Sequence, residues 1–157
     1  MAKKYWIMKS EPNEFGIEDL RREGSALWDG VRNYQVRNMF RDDMRAGDVA
    51  LFYHSNAKEI GVVGEMSVEE PGKPDPTQFI PGHKYYDPKS TPDNPRWLGP
   101  IVRFVCTFPR VVTLDELKNN PVFSDLPFVR KGNRLSVIPV TREQYQAIKK
   151  LATTKLL

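Results

Sequence analysis

Several segments of this chain set polar side chains beside aromatic rings at the ends of apolar runs. Met8-Lys9-Ser10-Glu11-Pro12 closes the first such run, and Trp28-Asp29-Gly30-Val31-Arg32-Asn33-Tyr34 follows a short polar stretch. Phe52-Tyr53-His54-Ser55-Asn56 ends a second run, while Pro95-Arg96-Trp97 and Asn133-Arg134-Leu135-Ser136 flank later ones. A pocket for a flat polar heterocycle needs aromatic faces to stack on it and a few donors and acceptors aimed at its edge. Trp28, Tyr53 and Trp97 are candidate faces; Ser10, Asn33, Ser55 and Asn56 are candidate edge readers. Each residue also has a plain structural reading. Trp28 could be core, Asn56 a turn residue, and Asp29-Gly30 a tight turn.

Catalytic and metal readings find little support. His54 and His83 are the only histidines, and with the single Cys106 they show no ligand spacing. No phosphate loop, dinucleotide fingerprint or nucleophile elbow occurs. His54 and Ser55 are adjacent in a strand-like run, so they point to opposite faces and are poorly placed to share a proton. Cys106, in an alternating strand, reads as a small core hydrophobe, and one cysteine excludes an internal disulfide. Lys9 with Glu11 or Glu65 is the one acid/base pairing the chain offers. No cofactor is implied.

The elements that must position these residues follow from local pattern. Lys4–Lys9 alternates as a short buried strand. Gly16–Arg22 makes a helical turn or two that Gly24 closes, and Asn33–Met44 spaces Tyr34, Val36, Phe40 and Met44 along one helix face. Val49–Tyr53 and Ile60–Val68 read as a hairpin of core strands. Eight prolines fall between Glu70 and Pro100, which predicts a loop with at most an edge strand near Thr77–Ile80. Loops of that length inside a compact domain tend to be functional. Ile101–Phe108 is a further strand, Thr113 caps a short helix over Leu114–Lys118, and Leu135–Val140 is the last strand. Thr141 and Gln144 form a capping box opening a helix to Ala152. Strands and short helices without a βαβ rhythm predict an α+β fold, a small and mostly antiparallel β-barrel with flanking short helices.

At 157 residues the chain suits one domain over its full length, 1–157. It is 39% apolar and 28% charged, neither a disordered tail nor a membrane protein. The N-terminus has no signal-peptide h-region, so with one cysteine a cytoplasmic compartment is the plain expectation. Net charge is +4, but residues 1–78 sum to −3 and residues 79–157 to +7. Such a basic half suits a polyanion, although lysine-rich surfaces are often merely solvated.

These blocks together resemble the EVE domain family. Tyr5 to Pro12, Trp28 to Asn38, Gly47-Asp48 with Phe52 to Asn56, Pro95-Arg96-Trp97 and Arg134-Leu135-Ser136-Val137 carry the resemblance, in order and over nearly the whole chain. The resemblance implies a PUA-like fold, kinship with YTH domains that read N6-methyladenine, and recognition of modified bases, modified cytosine in DNA among them. Lys9-Ser10 looks like the Lys-Ser step at the first strand of YTH domains, and Trp28 like the wall of their pocket. Residue reading and resemblance together assign Lys9, Ser10, Glu11, Trp28, Val31, Arg32, Asn33, Tyr53, Ser55, Asn56, Trp97, Leu135 and Ser136 to a base pocket. They assign Arg130, Lys131 and Arg134 to phosphates. Three functions follow: a non-enzymatic reader of a modified base in DNA or RNA, a general PUA-like binder of tRNA or rRNA, or an ASCH-like nucleoside hydrolase. The reader leads. It would act as a monomer, away from membranes, with any effector supplied by another protein.

Overall fold

A computed structural model describes residues 3–127 and 135–153. Six strands form one sheet in the order β2-β5-β4-β3-β1-β6. They are β1 (Tyr5–Ser10), β2 (Ser25–Leu27), β3 (Val49–His54), β4 (Gly61–Pro74), β5 (Leu98–Thr113) and β6 (Val137–Val140). Only β1 and β3 run parallel; every other neighbouring pair is antiparallel. The fold class and the antiparallel bias match the sequence reading. The closed barrel does not: β2 and β6 are the two ends of an open order. Both are short, and β6 carries Pro139, a residue that lacks a ladder donor and belongs at a sheet edge.

The parallel pair exists because the chain crosses over between its members. That crossover contains α1 (Pro12–Phe15), α2 (Ile17–Glu23), β2 and α3 (Tyr34–Asn38). Helix α2 ends at Gly24, whose φ of 81° lets its N–H return to the Leu20 carbonyl. The single helix expected over Asn33–Met44 is instead α3, capped by the Asn33 side chain, running into a π-helical turn at Met39–Asp43. There the Met44 N–H reaches back five residues to the Met39 carbonyl.

Both faces of the sheet are covered, which is why β3 reads as an unbroken apolar run. On one face Trp6, Met8, Ala50 and Phe52 pack beneath α1, α2 and α3 with Leu20, Val36 and Phe40. On the other, Ile7, Leu51, Tyr53 and Phe108 pack under α5 (Arg142–Thr153) with Ile148. The helix α5 opens with the expected Thr141–Gln144 capping box, and α4 (Leu114–Lys118) with the one at Thr113–Glu116. Glu65, a sequence candidate for acid/base work, sits under α5: it accepts from the Tyr145 hydroxyl at 2.7 Å and from Lys149 Nζ at 2.9 Å. It fastens the closing helix to the sheet.

The proline-rich segment is shorter as a loop than expected. Strand β4 runs on to Pro74 and β5 begins at Leu98, so the loop proper is 75–97. Thr77–Ile80 makes no edge strand; Pro76–Phe79 is a 3₁₀ turn that Asp75 caps through the Thr77 N–H. The loop has a polar interior. The Gln78 amide donates to the carbonyls of Asp75 and Trp97, and its oxygen accepts from Ser90 Oγ and the Trp97 N–H.

His54 joins the two parallel strand ends to α2. Its Nε2 accepts from the Ile17 N–H at 3.1 Å, which requires the neutral ring. Burial lowers its pKa, with Asp19 opposing. The unfolded chain therefore takes up a proton near pH 6.5 that the folded chain resists, so this contribution to stability is complete above that pH and falls as pH drops below it. Thermal unfolding between about pH 7.5 and pH 5.5 should show a falling Tm. His54→Gln, which keeps an acceptor that does not titrate, should flatten that dependence.

Candidate functional site

The C-terminal ends of β1 and β3 lie side by side, with Ser10 opposite His54 and the Ser55 N–H donating to the Ser10 carbonyl. This pairing sets one wall of an open cleft of about 940 Å³. Lys9, Ser10, Glu11 and Ser55 come from the strand ends, Trp28, Val31, Arg32 and Asn33 from the crossover, and Leu135 and Ser136 from the approach to β6. The Lys9 N–H bonds the Ser136 carbonyl at 2.7 Å, which draws that last segment in.

Most of these side chains also hold the fold. Trp28 is only 6% exposed and packs edge-on against Phe52 and Phe15, with ring centroids at 5.2 and 6.4 Å. It is core as well as cleft wall. Ser10 Oγ donates to the Phe15 carbonyl at 2.6 Å, and Asn33 Oδ1 accepts from the Val36 N–H as the cap of α3. The Glu11 carbonyl accepts from Glu14 and Phe15 at the start of α1. Val31 is buried among the core residues. Burial lowers the Lys9 ammonium from its ordinary range.

The crossover segment is fixed by an unusually complete set of contacts. The Trp28 N–H bonds the Pro100 carbonyl at 2.8 Å, and a Cβ on Gly99 would collide with the Trp28 carbonyl, so β5 needs glycine there. Gly30 has φ of 79°, and a Cβ there would fall 2.6 Å from the Tyr85 ring. Its N–H donates to Asp75 Oδ2 at 2.7 Å. Arg32 Nη1 reaches the same oxygen at 2.9 Å, while its other nitrogens bond the Tyr85 carbonyl and Thr77 Oγ1. Arg32 is thus a strut between the crossover and the 75–97 loop.

Three expected pocket residues lie elsewhere. Tyr53 is buried on the opposite face of the sheet, because alternation along β3 turns it toward α5; it is the register partner of Lys9 across β1 and β3, with its ring 5.6 Å from Lys9 Nζ. Asn56 sits in the turn after β3 with φ of 48°. Trp97 is 6% exposed, donates its indole N–H to Asp87 and packs on Tyr34, which makes it loop core. Arg130, Lys131 and Arg134 lie outside the described residues. Conversely, Asp29 and Tyr85 line the cleft and were not among the expected site residues. Burial, then the like charge of Asp75, push the Asp29 carboxyl up, against opposing pulls from His83 and Arg32. Asp29 carried a turn signal that masked it; Tyr85 is brought in by contacts across more than 50 residues that no local spacing encodes.

The EVE domain model matches residues 4–151. The chain belongs to the EVE domain family. Mouse thymocyte nuclear protein 1 is 42% identical over 96% of this chain and 74% of its own length. A crystal structure of a Pseudomonas putida protein superposes on this EVE domain with TM-score 0.90 at 48% identity, covering 94% of this chain and 99% of the other. Human THYN1, crystallised with DNA containing 5-methylcytosine, gives TM-score 0.89 at 36% identity, covering 98% of this chain and all of that one. The expectation of a cytoplasmic compartment does not stand, since the mouse, rat and human relatives of this EVE chain are named nuclear proteins. One cysteine and a missing h-region do not separate cytoplasm from nucleus.

Asp75 is fully buried, and its partner Arg32 is largely so. Burial raises its pKa, but the hydrogen bonds from Thr77, Gly30 and Arg32 outweigh this and hold it below the usual carboxylate range. Asp75→Ala strands a buried guanidinium and two N–H groups and should cost about 3 kcal/mol or more in a urea unfolding titration. Exposed Asp93→Ala, in the same loop, should cost less than about 0.5 kcal/mol.

Proposed function

We propose that this protein is a non-enzymatic reader of a modified base in nucleic acid, with the base held in the cleft at the ends of β1 and β3. Modified cytosine in DNA is the favoured target. The observation that carries this reading is the likeness, over almost the full chain, to human THYN1 crystallised with 5-methylcytosine DNA. The cleft supports it: Trp28, Ser10, Ser55 and Lys9 are among its lining residues, an aromatic ring beside polar groups as a flat heterocycle needs. Reaching such a cleft from a nucleic acid strand means that the base leaves its stack. Among the cleft-lining residues Glu11, Glu14, Glu23 and Asp29 outnumber Lys9 and Arg32, so the phosphates on either side fall to the basic half of the chain, including Arg130, Lys131 and Arg134.

Binding to single-stranded oligonucleotides carrying cytosine, 5-methylcytosine, adenine or N6-methyladenine tests the reading. A modified base should bind more tightly than its parent, and log Kd should rise with log salt by about 0.7 per phosphate contacted. Equal affinity for modified and parent bases would remove the reader assignment. Trp28→Leu, which keeps an apolar side chain in the core, should weaken binding about tenfold through lost stacking, with thermal unfolding to show that the variant is folded.

A second reading rests on Lys9, a cleft-lining residue whose pKa burial lowers, as the acid/base group of a hydrolase would need. Mass spectrometry of modified nucleosides and oligonucleotides after prolonged incubation decides between them. Full recovery is expected; turnover abolished by Lys9→Ala would establish the hydrolase.

A further inference from the structure

Of the polar side chains around the cleft, several already have employment within the fold. Arg32 is taken up by Asp75, Thr77 and Tyr85, Asn33 caps α3, and the Ser10 hydroxyl donates its proton to Phe15. Asp29 differs. It lines the cleft and is solvent-exposed, and among the described residues no cation lies within ion-pair distance of its carboxylate. Its backbone is held on both sides, by the Trp28 N–H on the Pro100 carbonyl and by the Gly30 N–H on Asp75, with Tyr85 packed against Gly30. A side chain presented from so fixed a backbone can discriminate, because a mismatched ligand cannot be met by local adjustment.

We propose that Asp29 is the specificity-determining residue of this cleft, accepting a hydrogen bond from the exocyclic amine of the bound base and so selecting an amino-bearing base, cytosine in type, over a keto one. The inference rests on the reader function proposed above and adds the chemical class of its ligand. An ionised carboxylate only accepts hydrogen bonds. Opposite the amine of cytosine it gains a donor, as carboxylates do in reading that group elsewhere. Opposite the O4 carbonyl of thymine it sets two acceptors face to face, which leaves both groups without a donor. Partial desolvation and the nearby Asp75 charge disfavour the charged form of Asp29, against pulls from His83, Arg32 and its own backbone N–H, and an arriving N–H donor adds to the stabilising side.

The comparison that isolates this contact is 5-methylcytosine against thymine at one position of an otherwise identical single-stranded DNA. Both carry the 5-methyl group, and they differ at the amine or carbonyl and the adjoining ring nitrogen. The wild-type protein should prefer 5-methylcytosine about tenfold. Asp29→Asn presents an amide that can donate to O4, so the preference should shrink to within about twofold, chiefly by tighter thymine binding. Asp29→Ala should lose affinity for 5-methylcytosine and bind thymine at least as tightly as the wild type. Because Asp29 is exposed, both variants should unfold at the wild-type temperature. A preference that survives both substitutions overturns the assignment of Asp29 while leaving the reader function intact. A wild-type protein that binds neither oligonucleotide overturns both, and one that binds the two equally overturns the proposed selection of an amine.

Discussion

The buried carboxylate of Asp75 is the contact on which the cleft depends. Its two oxygens accept from the Gly30 N–H, the Arg32 guanidinium, the Thr77 N–H and the Thr77 hydroxyl. These donors come from a crossover and from a proline-rich loop, two stretches with little regular structure of their own. Neither would keep a single geometry unaided, since a loop backbone needs partners for its polar groups and has no ladder to supply them. One ion pair with three accessory hydrogen bonds locks them together, and Trp28, Asp29 and Tyr85 take their positions from that lock. Buried charge pairs add little net stability but can impose a unique arrangement, which is what a cleft made of irregular backbone requires.

The sheet adds the second constraint. Because β1 and β3 are parallel, their C-terminal ends fall together, and the chain leaves both strands at the same edge of the molecule. Alternation along those strands then divides labour. Residues such as Phe52 and Trp6 face the crossover and support the cleft floor, whereas Tyr53 and Ile7 face α5 and hold the far side of the core. Glu65, Tyr145 and Lys149 belong to that far side and stabilise the docking of α5.

Local signals were legible and remote ones were not. The capping boxes at Thr113 and Thr141, the Gly24 stop of α2 and the apolar run of β3 are written within a few residues, and each element stands where its pattern places it. The open sheet was not legible, since strand count says nothing of whether the last edge finds the first. Long-range partners were not legible. Trp97 is buried by its bond to Asp87 and its packing on Tyr34, and Arg32, which does line the cleft, also spans 43 residues to Asp75. Asp29 was hidden by its plausibility as half of a turn. The blocks that resemble the EVE family were readable for a different reason: a cleft built from strand ends concentrates its residues in short contiguous stretches.

The place of β1 between β3 and β6 bears on how the protein is made. Strand β1 pairs with one strand about 45 residues later and another about 130 residues later. During synthesis its apolar Trp6, Ile7 and Met8 must wait for both partners, and the second emerges long after the first. Such distant pairing makes folding slow and leaves strand edges exposed in the nascent chain. The lysines at positions 3 and 4, just before this strand, and at 9, after its apolar run, are the kind of flanking charge that keeps an unpaired apolar segment from associating with its neighbours on a polysome.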